Sequence, residues 1–168
     1  MTDQDSVDPT KIDIAFDPIE RRMRGVAIHG NVPFDVSFIS EIAPNLWQGG
    51  CEHGLILPHF IDHLVSLYPW ESYKVSHEIQ SKLVVRMYDS VDQAFDQVDE
   101  IAQWVSNRRK EGTVLVHCQA GLNRSSLIAA RSLMIDGMTA DEAIAQIRDT
   151  RSPACLCNQS FEEYLRDL

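Results

Sequence analysis

The chain predicts an α/β protein with a central, mostly parallel sheet flanked by helices. Three observations carry that prediction. Short apolar runs rich in β-branched residues, LVSLY (64–68), LVVRM (83–87) and TVLVH (113–117), read as strands. Helical patterns alternate with them, as in βαβ units. TVLVH also lacks polar alternation, as expected of a strand covered on both faces.

Taken in order, residues 1–15 read as an acidic flexible tail. FDPIERRMRG (16–25) predicts a short helix, with Asp17 as N-cap, Pro18 at the first helical position and Gly25 closing the end. Residues 16–41 are expected to form an extension packing on a domain that spans 42–168. EIAPNLWQGG suggests a strand or two with a turn at Gly49-Gly50, and residues 55–62 a short helix around Pro58. From Asp92 to Lys110, the spacing of Phe95, Val98, Ile101, Ala102 and Val105 predicts an amphipathic helix closed by Gly112. A helix from Arg124 ends at Gly137. Thr139 and Glu142 form a capping box for the next, Pro153 breaks the chain, and Gln159–Leu168 is a last helix.

The 168 residues suit one domain with a sizeable core. A formal net charge of -10 argues against nucleic-acid and anionic-membrane partners. No secretory signal and no membrane-spanning apolar run is visible, so a cytoplasmic monomer is expected. Cys51, Cys118, Cys155 and Cys157 are expected to be reduced thiols rather than a disulfide framework. The alternation in Cys155-Leu156-Cys157 puts both thiols on one face of an extended segment, where packing suits them better than redox control. His59 and His63 stand four apart near Cys51 and His53, but Phe60 and Ile61 between them suggest ordinary packing, and no metal or other cofactor is expected. Trp70 and Tyr73, in SLYPWESY, either line a pocket edge or pack in the core and loops.

VLVHCQAGLNRSS (114–126) carries the chemistry. A strand ends at His117, a loop runs from Cys118 to Asn123, and a helix begins near Arg124. Ligands of open α/β sheets bind beyond the carboxyl ends of the strands, and a helix N-terminus there favours phosphate. Gly121 permits a left-handed conformation and Asn123 tolerates one, so the loop can turn its N–H groups inward as an anion nest. The helix end, those N–H groups and Arg124 all favour a Cys118 thiolate. Arg124 offers a planar fork for two phosphate oxygens, and Ser125 a hydroxyl that helps the sulfur leave.

His117-Cys118-Gln119-Ala120-Gly121-Leu122-Asn123-Arg124-Ser125 resembles the H-C-x5-R-[ST] signature of cysteine-dependent protein tyrosine phosphatases, and within them the dual-specificity group. EIAPNLWQGG is similar to that domain's opening and RDTRSPACLCNQSFEEYL to its closing segment, so the resemblance covers about 42–168. It implies the dual-specificity phosphatase-like three-layer fold, with Cys118 as nucleophile, Gln119 to Arg124 wrapping the phosphate, and His117 orienting the loop from beneath. It also implies a general-acid Asp on a mobile loop. Asp89 in RMYDS sits there, with Asp92 its rival; Asp92 looks more like the N-cap of a helix from Gln93. Met87-Tyr88-Asp89 stands where the larger tyrosine-specific enzymes carry Trp-Pro-Asp. Asn158 or Gln159 helps place the water, or Asn158 simply caps the last helix.

The expected substrate is a phosphorylated protein, with phosphotyrosine first and phosphoserine and phosphothreonine as further candidates. Leu122-Asn123-Arg124 also resembles the loop of RNA 5′-triphosphatases, against which stand the acidic charge and Asp89. A phosphoinositide phosphatase should carry Lys in the loop, where Gln119 and Leu122 are not basic. A pseudophosphatase would not need Cys118, Arg124 and Asp89 together.

Overall fold

The computed structural model describes residues 12–14, 24–29, 32–52, 54–89 and 95–168. At its centre is a five-stranded sheet of β4 (Ile39–Ala43), β5 (Leu46–Gly49), β6 (His63–Ser66), β7 (Ser81–Val84) and β8 (Val114–His117), in the order β4-β5-β8-β6-β7. β4 is antiparallel to β5; every other pairing is parallel. The sheet is therefore mostly parallel, as the sequence predicts. β8 lies in the middle and every one of its side chains is buried, which accounts for its unalternating VLVH.

Four described helices surround this sheet: α1 (Val98–Arg109), α2 (Arg124–Ile135), α3 (Ala140–Thr150) and α4 (Gln159–Arg166). α2 is the hub, packing on α1, α3 and α4 and against β5 and β8. Its sequence, RSSLIAARSLMI, is apolar enough to be buried almost all round. The Thr139–Glu142 capping box starts α3 with both of its reciprocal hydrogen bonds present. Gly137 ends the α2 region at φ +116, a left-handed conformation suited to glycine.

Several expectations need correction. Ile12–Ile14, placed in the tail, is strand β1, and Arg24 and Gly25, placed in a helix, open strand β2 (Arg24–His29). With β3 (Val32–Ser37) these strands form a second, antiparallel sheet in the order β1-β2-β3. Residues 1–11 and 15–23, the rest of the proposed tail and helix, lie outside the described residues. The turn in EIAPNLWQGG falls at Pro44-Asn45, where Asn45 takes φ +59, while Gly49 stays in β5. Residues 55–62 form no helix: Ile56 bridges to Lys74 and a turn covers His59 and Phe60. β7 begins two residues earlier than LVVRM suggests.

α1 begins at Val98 with Gln97 as N-cap, so it does not start at Gln93; Asp92 lies outside the described residues. Gly112 serves close packing instead of a left-handed cap. A Cβ there would come within 2.6 Å of Asp62 Oδ2, which accepts the Thr113 N–H. No described helix is long and apolar enough to cross a membrane.

Candidate active site

The register places the site. Gly49 of β5, His117 of β8 and Ser66 of β6 lie side by side, so three parallel strands end at one edge. Just beyond it the Cys118 N–H donates to the Gly49 carbonyl and the Leu67 N–H to the His117 carbonyl. Met87 N–H continues the row by donating to Leu67 O, and Arg124 Nη1 donates to Met87 O at 3.3 Å.

Cys118 sits at the floor with 1% of its surface exposed. The Gly121 N–H donates to Sγ at 3.2 Å, and the thiol lies 3.4 Å from Ser125 Oγ as its donor. Once the sulfur is ionised, the same Ser125 hydroxyl can turn and donate to it. Asn123 is the N-cap of α2, yet its side chain makes no bond to the first-turn amides. Asn123 Nδ2 donates to Asp89 Oδ2 instead, at 2.8 Å. The positive end of α2 is thus left facing the loop, the arrangement that suits an anion.

The loop keeps its shape because its carbonyls are turned outward. Arg151 donates from Nε to Gly121 O at 2.6 Å and from Nη2 to Ala120 O at 3.1 Å. Its Nη1 reaches Ser37 O at 2.7 Å and Ser40 Oγ at 3.0 Å. From β5, Gln48 Nε2 donates to Gly121 O and to the hydroxyls of Ser125 and Ser126. Cys51 N–H takes up Gln119 O. Every loop carbonyl held from behind is one fewer facing the Cys118 sulfur.

His117 is wholly buried beneath the loop, its ring edge-on to Tyr73 at 5.2 Å. Burial pushes the imidazole down to about 4, so at neutral pH it is uncharged and its Nδ1 can donate to Cys118 O, 3.1 Å away. Between pH 6.5 and about 4 the unfolded chain binds a proton that the folded chain refuses, so stability falls as pH drops through that window. The expected slope from this group is at most about 1.4 kcal/mol per pH unit. Urea midpoints measured across the window should fall less steeply in His117→Gln than in the unsubstituted chain; equal slopes would refute the claim.

Residues 59–168 match the family described as dual specificity phosphatase, catalytic domain. The chain belongs to that family. Solved structures agree on the fold of the dual specificity phosphatase domain. Human tyrosine phosphatase-like serine/threonine/tyrosine-interacting protein superposes with a TM-score of 0.64 at 22% identity, over 77% of this chain and 93% of that one. Human DUSP28 gives 0.64 at 16% identity, over 77% and 91%. OH1 from the Orf virus, a tyrosine phosphatase, gives 0.59 at 18% identity, over 76% and 83%. A comparison with curated proteins finds no match.

In this phosphatase domain the residues expected at the site converge: His117 to Ser125, Asp89 and Asn158 share one hydrogen-bonded neighbourhood. Asn158 does cap α4, its Oδ1 accepting from the Ser160 N–H and hydroxyl, and its Nδ2 donates to Asp89 Oδ1 at 2.9 Å. Trp70 and Tyr73 part company. Tyr73 is buried and donates to Gly50 O, while Trp70 is half exposed on the rim. There the Arg86 guanidinium lies between Trp70 and Tyr88, at 4.3 and 4.8 Å from their rings. Tyr68 links that rim to the site, 4.9 Å from the Trp70 ring and 5.1 Å from the Arg124 guanidinium.

Sequence reasoning missed Gln48 and Arg151. The available signal was a polar residue inside the apolar LWQGG strand and an Arg directly before Ser152-Pro153. The segment 153–156 is a turn with Leu156 at φ +61, so Cys155 and Cys157 do not share an extended face. All four cysteines are unbridged. Burial raises the Cys155 thiol and pushes Cys157 up to about 11, so both are neutral at pH 7. His59 and His63 lie on a turn and a strand, bonded to Ser76 and Ser81. Among the described residues no group of three or more His, Cys, Asp or Glu could hold a metal.

Gly121 carries the loop's tightest constraint. It takes φ +73, and a Cβ there would stand 2.3 Å from the Gly49 backbone and 2.5 Å from Arg151 Nη2. Gly121→Ala should therefore lower kcat/KM by about 100-fold or more, because the reacting groups shift by a fraction of an ångström or more. Steady-state kinetics on an aryl phosphate would check it.

Proposed function

We propose that the chain is a cysteine-dependent protein phosphatase acting on phosphotyrosine, with phosphoserine and phosphothreonine as further candidates, through a phosphocysteine. One observation supports this most: the Cys118 sulfur meets the Gly121 N–H and the Ser125 hydroxyl in a loop whose Asn123 holds Asp89. Nucleophile, phosphate cradle and acid then belong to a single hydrogen-bonded unit.

In the first step the Cys118 thiolate attacks phosphorus and the P–O ester bond breaks. Asp89 gives its proton to the departing oxygen, releasing an alcohol or phenol. In the second step water attacks the phosphocysteine and the P–S bond breaks. The Asp89 carboxylate takes the water's proton, the sulfur leaves as thiolate with help from Ser125, and inorganic phosphate is the product. Arg124 faces the charge on the phosphoryl oxygens with its planar fork. The backbone N–H groups of Gln119 to Asn123 supply the remaining cradle.

Asn123 favours a protein or other monoester substrate over an RNA 5′-triphosphate. The letter that invites the triphosphatase reading is occupied in holding the general acid. The acidic net charge of -10 points the same way. Four unbridged thiols fit a reducing, cytoplasmic setting. The described residues before β4 act as an extension of the domain, a reading supported by the bond from Arg151 to Ser37 at the end of β3, whereas Ile39–Ala43 belongs to the central sheet itself.

The test is turnover of phosphotyrosine peptides with chelator present, coupled to acid quenching to trap a phosphoenzyme labile at its P–S bond. Failure to trap phosphate on Cys118 during turnover would reject the mechanism. Asp89→Ala should slow phenyl phosphate by about 100-fold or more and an ester of a strongly acidic phenol far less. Equal losses on both would remove Asp89 from the role of acid.

A further inference from the structure

Arg86 stands where the backbone of β7 runs on toward Asp89. The Val85 and Met87 N–H groups donate inward to Ser66 O and Leu67 O. The alternate residues Lys82, Val84, Arg86 and Tyr88 are exposed, as the two-residue period of an extended chain requires. The Arg86 guanidinium lies between the rings of Trp70 and Tyr88, 4.3 and 4.8 Å from their centroids. Both rings are half exposed, at 52% and 51%.

Stacking of this kind occupies the two faces of a guanidinium. Its N–H donors lie in the plane and point past the rings, in the fork that matches a carboxylate. The sandwich also fixes a long side chain in advance, so less rotamer freedom is lost when a ligand binds. Arg108, Arg109, Arg131, Arg148 and Arg166 each pair with an Asp or Glu. Among the described residues Arg86 pairs with no carboxylate. The chain holds 25 Asp and Glu against 15 Lys and Arg, so this is not for want of acids.

The rim leads to the phosphate loop. Tyr68 touches both, its ring 4.9 Å from Trp70 and 5.1 Å from the Arg124 guanidinium. The 4.3 Å step from Trp70 to Arg86 completes the path. Laid end to end, these three steps match about four residues of extended peptide at about 3.3 Å each. We infer that Arg86 is a specificity residue that reads a Glu or Asp side chain of the substrate within about four residues of the phosphotyrosine. This rests on the proposed action on phosphotyrosine in proteins. Trp70 acts as the positioning residue that holds the guanidinium for that contact.

The test uses phosphotyrosine peptides of one core sequence, with Glu, Ala or Lys at each position up to about four residues before and after the phosphotyrosine. kcat/KM is measured for the unsubstituted chain, Arg86→Ala, Arg86→Glu and Trp70→Ala, beside an aryl phosphate too short to reach Arg86. The expected result is a preference of about three- to tenfold for Glu over Ala at one or two positions, carried in KM and weakened by salt. Arg86→Ala removes that preference, Arg86→Glu turns it toward Lys, and Trp70→Ala reduces it although Arg86 is still present. No preference for Glu at any position, or a preference that survives Arg86→Ala, would overturn the assignment. So would an Arg86→Ala chain slowed as much on the aryl phosphate as on every peptide, the mark of a merely structural residue. Turnover of the aryl phosphate but of no phosphotyrosine peptide would reject the proposed substrate class, and the inference with it.

Discussion

Cys118→Ser should abolish turnover, by about four orders of magnitude or more, while leaving the fold and phosphate binding in place. The substitution is nearly isosteric. A hydroxyl can still accept the Gly121 N–H and still meet Ser125, so the contacts at 3.2 and 3.4 Å survive and no buried polar group loses its partner. What disappears is the reacting species. An alcohol is not ionised at neutral pH, and within the described loop no base stands over it: His117 lies below, its Nδ1 directed at Cys118 O. Alkoxide is also a worse leaving group than thiolate in the second step. Calorimetric binding of inorganic phosphate beside steady-state turnover separates the two effects. A Ser variant that turns over near the unsubstituted rate would rule out sulfur as nucleophile.

Arg151 should matter almost as much, and for a different reason. Its guanidinium holds the carbonyls of Ser37, Ala120 and Gly121 and the Ser40 hydroxyl. Arg151→Met removes this donor from all four acceptors, and of them Gly121 O keeps its bond from Gln48. Buried groups left unpaired cost about 1–3 kcal/mol each, so a loss of about 3–5 kcal/mol in unfolding free energy is expected, similar to removing one side of a buried ionic contact. The loop carbonyls are then free to rotate toward the phosphate, and kcat/KM should fall about 100-fold even in the fraction that remains folded. Arg151→Lys keeps the charge without the planar fork and should recover little. Denaturant unfolding together with kinetics corrected for folded protein would check both. A Lys variant equal to Arg in both measurements would show that charge alone suffices.

The strand, loop and helix around Cys118 were legible because they are contiguous. Thirteen letters hold the buried strand, the Gly121 turn, Arg124 and the start of α2, and each follows from local rules. The Thr139 box and Gly137 were legible for the same reason. The N-terminal strands were not. Asp17, Pro18 and Gly25 offer good helix punctuation, yet Arg24 and Gly25 pair with Ser37 and Val36 in β2 and β3. Tertiary pairing there outweighs local propensity. Gln48 and Arg151 escaped because their partners lie far along the chain, at separations of 73 and 30 residues from Gly121. Asn158 was half legible: its spacing before α4 announces a cap, but nothing local says that its other end reaches Asp89.

Arg151 has one further consequence, which concerns time. Its bonds to Ser37 and Ser40 close loops of 114 and 111 residues. Contacts between such distant positions form late, since closing long loops costs entropy before any reward arrives. During synthesis from the N-terminus, Cys118 emerges well ahead of Arg151, the cation that shapes its loop. A nascent chain can thus display Cys118 while its surrounding carbonyls still point at random. The loop geometry on which the proposed catalysis depends is therefore expected among the last features the growing molecule acquires.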